Sequence, residues 1–127
     1  MTEPSTSATT SVRLCSLAEL ADGAARGFDP LGEGRDTIFI VRQDRRLHAY
    51  RDACPHWPGT PLPWRRHAYL SGDGRHIACS AHGALFDIAT GTCVLGPCVG
   101  LRLAPVPLAI DNDSEIHVLL HTKGTTR

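Results

Sequence analysis

Four prolines, at positions 55, 58, 61 and 63, fall within nine residues of one another. Each pins φ near about −65° and removes a backbone donor, so neither a long helix nor a central strand can run through them. Asp52 to Arg66 is therefore loop, and regular structure has to be built from the segments on either side. Those segments are short. Val12 to Leu17 alternates loosely and reads as a first strand, and Leu17 to Ala25 is helix-friendly until Gly27, Pro30, Gly32 and Gly34 break the chain. Thr37 to Arg42 is the strongest strand signal, β-branched and aromatic, and returns through Leu47 to Arg51 as a hairpin. Short strands follow around His67 to Leu70 and His76 to Cys79, joined by Ser71-Gly72-Asp73-Gly74. Ala84 to Ile88 and Thr92 to Leu95 flank the turn Ala89-Thr90-Gly91, and Gly96-Pro97 turns the chain again. Val106 to Ile110 and Glu115 to His121 form a last hairpin across Asp111-Asn112-Asp113-Ser114. Many short strands at regular turn spacing predict an all-β sandwich or barrel.

With 127 residues the chain is the size of one domain. Its 13 basic and 13 acidic residues cancel, so no global field calls for a nucleic-acid or membrane partner. Between Arg42 and Arg75, however, seven arginines face three aspartates. Such a cluster is ordinarily a solvated face; the sharper reading is a docking patch, or compensation for a centre that gains negative charge. No apolar run approaches the length of a membrane span. Residues 1–11, rich in Ser and Thr and without a signal-peptide pattern, read as a disordered leader on a cytoplasmic protein, and 122–127 as a flexible tail. Five cysteines cannot all pair internally, and in a cytosolic chain cysteines near histidines point to metal chemistry.

Cys54-Pro55-His56 and Cys79-Ser80-Ala81-His82 carry that chemistry. Each offers one thiolate and one imidazole within two or three residues, where a strand gives way to a loop. Pro55 stiffens the first loop, and Gly83 lets the second bend. A structural zinc site draws its cysteines and its histidines as separate pairs, whereas here each loop is mixed. Mixed loops suit a [2Fe–2S] cluster with Cys54 and Cys79 on one iron and His56 and His82 on the other.

These loops, with Gly83, Phe86-Asp87, Gly91 and Gly96-Pro97 following, resemble the Rieske signature of Cys-x-His and Cys-x₂-His over roughly Thr37 to His121. The resemblance implies an all-β, Rieske-type antiparallel β-sandwich (residues 12–121) with a small cluster-binding subdomain at about 52–98 and a proline loop over the cluster. One departure is length. Twenty-two residues separate His56 from Cys79, more than is usual, and the excess falls in Leu62 to Arg75 as a longer hairpin. Added loop costs little closure free energy, but it could reshape the docking surface.

High-potential members of the family carry an extra cysteine in each loop, forming a disulfide, and hydroxyls that donate toward cluster and ligand sulfur. Here the disulfide positions hold Gly59 and Ala81, and the hydroxyl positions hold Ala84 and Phe86. Donors to sulfur stabilise the reduced state, so their loss lowers the potential, to roughly −150 mV. The resemblance then implies a soluble monomeric ferredoxin, not itself an enzyme, carrying one electron from a flavin-dependent reductase to an oxygenase, such as one acting on aromatic rings. A small subunit of a nitrite-reductase-like enzyme is the alternative; some of these lack the ligands. A zinc-bound structural module is the reading from another class. Cys15, Cys93 and Cys98 read as spare core thiols, the last two near the proline loop. His48, His67, His76, His117 and His121 read as strand or surface residues, and Trp57 and Trp64 as shielding or loop packing.

Overall fold

The computed structural model describes residues 7–55, 61–63, 66–80 and 83–123, and side chains only between 10 and 120 at the two ends. Among the described residues, nine strands form three antiparallel sheets of three. The first contains β1 (Ser7–Ser16), β9 (Glu115–Lys123) and β8 (Leu108–Ile110), in that order. The second runs β2 (Ala25–Phe28), β3 (Ile38–Gln43), β4 (Arg46–Arg51). The third runs β5 (His76–Cys79), β6 (Ala84–Asp87), β7 (Cys93–Leu95).

The middle sheet explains why Ile38-Phe39-Ile40-Val41 reads as an unbroken apolar run. Side chains alternate between the two faces of a strand, and on β3 both faces are covered. Ile38 and Ile40 pack with Cys15, Leu20, Phe28, Ala49, Ile116 and Val118 toward the first sheet. Phe39 and Val41 pack with Tyr50, Ile77, Phe86 and Leu103 toward the third. A two-sided strand has no polar face to show.

Most of the expected strands are present, with four differences. Pairing begins at Ser7↔Lys123, so the described parts of the expected leader and tail, 7–11 and 122–123, are strand. The helix-friendly stretch yields a single 3₁₀ turn, Leu17–Glu19, closed by a Ser16/Glu19 capping box. Gly27, read above as loop, lies inside β2. A Cβ there would stand 2.5 Å from the Tyr69 hydroxyl, so the glycine marks a close approach and not a break. Around His67 to Leu70 there is only an isolated bridge, Leu70↔Ile77.

Two contacts tie the third sheet to the second. Tyr50 donates its hydroxyl to the Ile88 carbonyl at 2.6 Å, and its ring lies where a Cβ at Gly91 would be, 2.7 Å from Cε1. Tyr50→Phe should cost about 1–2 kcal/mol, because the buried carbonyl loses its donor; urea unfolding measures it, and a change under about 0.3 kcal/mol would contradict this role. The arginine-rich stretch is partly structural. Arg42 donates to the carbonyls of Leu17 and Leu20, and Arg66 pairs with Asp36 at 2.9 Å.

Candidate metal centre

The two cysteines singled out in the sequence are buried in one apolar cluster at the end of the third sheet. Cys54 follows β4 by three residues and is 1% exposed; Cys79 ends β5 and is 0% exposed. Both lie close enough to the Cys98 sulfur to act on its charge. The Gly83 N–H donates to the Cys79 carbonyl at 2.8 Å, with Gly83 at φ +71°. Two thiols buried in one apolar cluster fit a group held through sulfur. His56 and His82 lie outside the described residues, as do Gly59, Ala81, Trp57 and Trp64. Among the described residues no three His, Cys, Asp or Glu side chains form a metal-binding group, which leaves the thiol half of the donor set in view.

What holds the two candidate loops together was not legible in the sequence. Asp52, the charged residue buried among those described, stands two positions before Cys54. Its backbone N–H donates to the Thr37 carbonyl at 2.9 Å. Its carboxylate accepts from the Leu62 N–H and from the Tyr69 hydroxyl, both at 2.8 Å. The Leu62 carbonyl in turn accepts from the Ser80 N–H at 2.8 Å and the Ser80 hydroxyl at 3.0 Å. Asp52, Leu62 and Ser80 thus form a continuous polar bridge from two positions before Cys54 to the residue after Cys79. Burial pushes the Asp52 carboxyl upward, against the two donors that pull it down. Burial first, then the nearby Asp52 carboxylate, drives Tyr69 well above its ordinary value, so it stays a hydroxyl donor.

The long insertion also has an anchor. Tyr69 stacks on Phe39 at 4.2 Å between centroids and 8° between planes, and the Gly27 N–H donates to His67 Nδ1 at 2.9 Å. From Arg66 to Tyr69 the insertion is therefore fastened to the middle sheet, and Ser71 to Gly74 close its turn.

On the other side of the site, Gly96 of the proline loop has φ +106°, and a Cβ there would stand 2.8 Å from the Ala84 backbone. The loop rests directly on the start of β6. Gly96→Ala should destabilise by about 1–3 kcal/mol through strain and overpacking. It should also speed loss of iron to a chelator, the measurement that would expose a loop able to yield without effect. Ala84 and Phe86, both 0% exposed, bring no hydroxyl to the centre.

A family model for the Rieske [2Fe-2S] domain matches residues 10–107. The chain belongs to the Rieske [2Fe-2S] domain family. It is accordingly an electron-transfer protein that binds a [2Fe–2S] cluster, and not a catalytic enzyme. Among solved structures, the ferredoxin of carbazole 1,9a-dioxygenase from Nocardioides aromaticivorans IC177 is similar at 28% identity and TM-score 0.64, over 86% of this chain and 96% of that one. The Sphingomonas yanoikuyae B1 ferredoxin is similar at 24% and 0.63, over 86% and 97%. A putative NADH-dependent nitrite reductase small subunit from Mycobacterium tuberculosis shares the fold at 18% and 0.62, over 89% and 96%. No curated protein matches the chain by sequence. Among the described residues of this Rieske protein no helix is long and apolar enough to cross a membrane.

Proposed function

We propose that this Rieske protein is a low-potential ferredoxin that carries one electron from a flavin-dependent reductase to an oxygenase. The observation that carries the reading is the likeness to the ferredoxin of carbazole 1,9a-dioxygenase from Nocardioides aromaticivorans IC177, at 28% identity over 96% of that chain. A complex of reduced oxygenase and oxidized ferredoxin in carbazole 1,9a-dioxygenase contains a chain of the same fold, at TM-score 0.66.

In this reading Cys54 and Cys79 hold the inner iron, and His56 and His82 the outer one. The bound cluster supplies a site that accepts and releases one electron. The residues around it do the rest. Cys54 and Cys79 sit in a dry core, where reorganisation of water is small, and Ala84 and Phe86 withhold donors from sulfur. Val94, Leu95, Val99 and Leu101, all about half exposed, give the loop over the site an apolar rim on which a partner can close. The four candidate ligands disfavour a nitrite-reductase subunit that lacks them.

Three measurements test the proposal. Dithionite-reduced protein should give a rhombic paramagnetic signal with average g below the free-electron value, from mixed Cys/His ligation. Its reduction potential should fall near the lower end of the Rieske range, roughly −150 mV; a value above about +100 mV would overturn the low-potential assignment. One zinc and no sulfide would overturn the cluster.

A further inference from the structure

Two thiols near the site have no part in the ligation described above. Cys93 opens β7 and Cys98 follows the Gly96-Pro97 turn; they are 2% and 1% exposed. Cys98 donates its thiol hydrogen to the Cys93 sulfur, with the two sulfurs 2.9 Å apart, against roughly 2.05 Å in a formed disulfide. Backbone bonds fix this approach. The Cys93 N–H donates to the Leu101 carbonyl at 2.9 Å, and the Leu101 N–H to the Cys98 carbonyl at 2.8 Å. The cysteines therefore stand at the two feet of the loop that rests on Ala84.

We propose that Cys93 and Cys98 are a reversible dithiol–disulfide pair that fastens the Gly96-Pro97 loop to β7 beside the cluster. The pairing stands on the geometry of the two sulfurs. Its effect on the cluster rests on the reading of Cys54 and Cys79 as ligands.

The oxidant is a low-molecular-weight aliphatic disulfide. One cysteine loses its proton and its sulfur attacks a sulfur of the oxidant; the S–S bond breaks and one small thiol leaves. The second cysteine then attacks the protein sulfur of the mixed disulfide, and a second small thiol leaves with the remaining proton. Two protein thiols lose two electrons in total, and the small disulfide gains them as two thiols.

In the closed loop the reaction is held back. Both sulfurs are buried, so a soluble disulfide reaches them only when the loop opens. Gly96 and Gly100, at φ +106° and +100°, bracket the segment that must move. The crosslink then records an opening and prevents the next one.

The experiment uses cluster-loaded protein treated with 2-hydroxyethyl disulfide, then alkylated with N-ethylmaleimide in acid denaturant and digested with trypsin. Cys93 and Cys98 share with Cys79 the peptide 76–102, so fragmentation must locate the bond. The expected product has lost two hydrogens between Cys93 and Cys98, is reversed by dithiothreitol, and retains the visible spectrum. Iron release to a chelator should slow severalfold after oxidation, and this slowing should vanish in Cys98→Ser and in Cys93→Ala. Full alkylation of both thiols while the spectrum survives would overturn the pairing, as would a bond to Cys79 or Cys54 instead. A crosslink without slower release would overturn the fastening. Protein that carries no iron would overturn the cluster reading, and the Cys93–Cys98 bond is scored on it in the same digest.

Discussion

Cys79→Ser yields colourless protein, with iron and acid-labile sulfide near zero after purification. The residue ends β5 at 0% exposure, and a thiolate there holds the inner iron together with Cys54 in the ligation proposed above. A serine hydroxyl of nearly the same size is a poor ligand for iron of a sulfide cluster. The strands themselves should persist, which circular dichroism checks. His82→Cys provides the contrast, since it leaves a sulfur donor in place and should retain iron, if any, with a changed spectrum and potential. Full iron with an unchanged paramagnetic signal in Cys79→Ser would remove that residue from the ligand set.

Asp52→Ala should cost roughly 2–5 kcal/mol in unfolding free energy. Two buried donors, the Leu62 N–H and the Tyr69 hydroxyl, lose their acceptor at once, at about 1–3 kcal/mol each. For a domain stable by about 5–15 kcal/mol that is a large share. The same variant should release iron to a chelator faster, because Leu62 no longer fixes Ser80 relative to the first ligand loop. Asp52→Asn keeps one acceptor oxygen and should fall between wild type and Ala. The double variant Asp52→Ala/Tyr69→Phe should cost less than the sum of the two single changes, since both act on one bond. A loss under about 0.5 kcal/mol with unaltered iron release would show that the bridge does not hold the loops.

The strands were legible where their physics is local. Ile38 to Val41 announces itself by β-branching and apolarity, and the Asp44 and Asp111 turns announce hairpins. The candidate ligand positions stood out because a metal site needs donors close in sequence on each loop. Asp52 did not. Its acceptors serve groups ten and seventeen residues further on, and nothing adjacent to it marks an acid destined for burial. Gly27 misled for a related reason: it reads as a breaker, but what it accommodates is the Tyr69 hydroxyl, brought from the far side of the proline loop. The Cys93–Cys98 approach is a middle case. The five-residue spacing was visible, and only the backbone bonds through Leu101 show that the loop folds back far enough.

The pairing of β1 with β9 sets an order of assembly. Ser7 meets Lys123, so β1 leaves the ribosome long before the strand that pairs with it. The β2–β3–β4 and β5–β6–β7 sheets join neighbouring segments and close over short distances, which favours their early formation. Until Glu115 and its successors emerge, β1 stands with its backbone groups unpaired, and Ile38 and Ile40 lack the cover of Ile116 and Val118. A nascent chain stalled at the Asp111 turn would therefore hold the iron-binding half nearly complete while its other half was open to clumping with its neighbours.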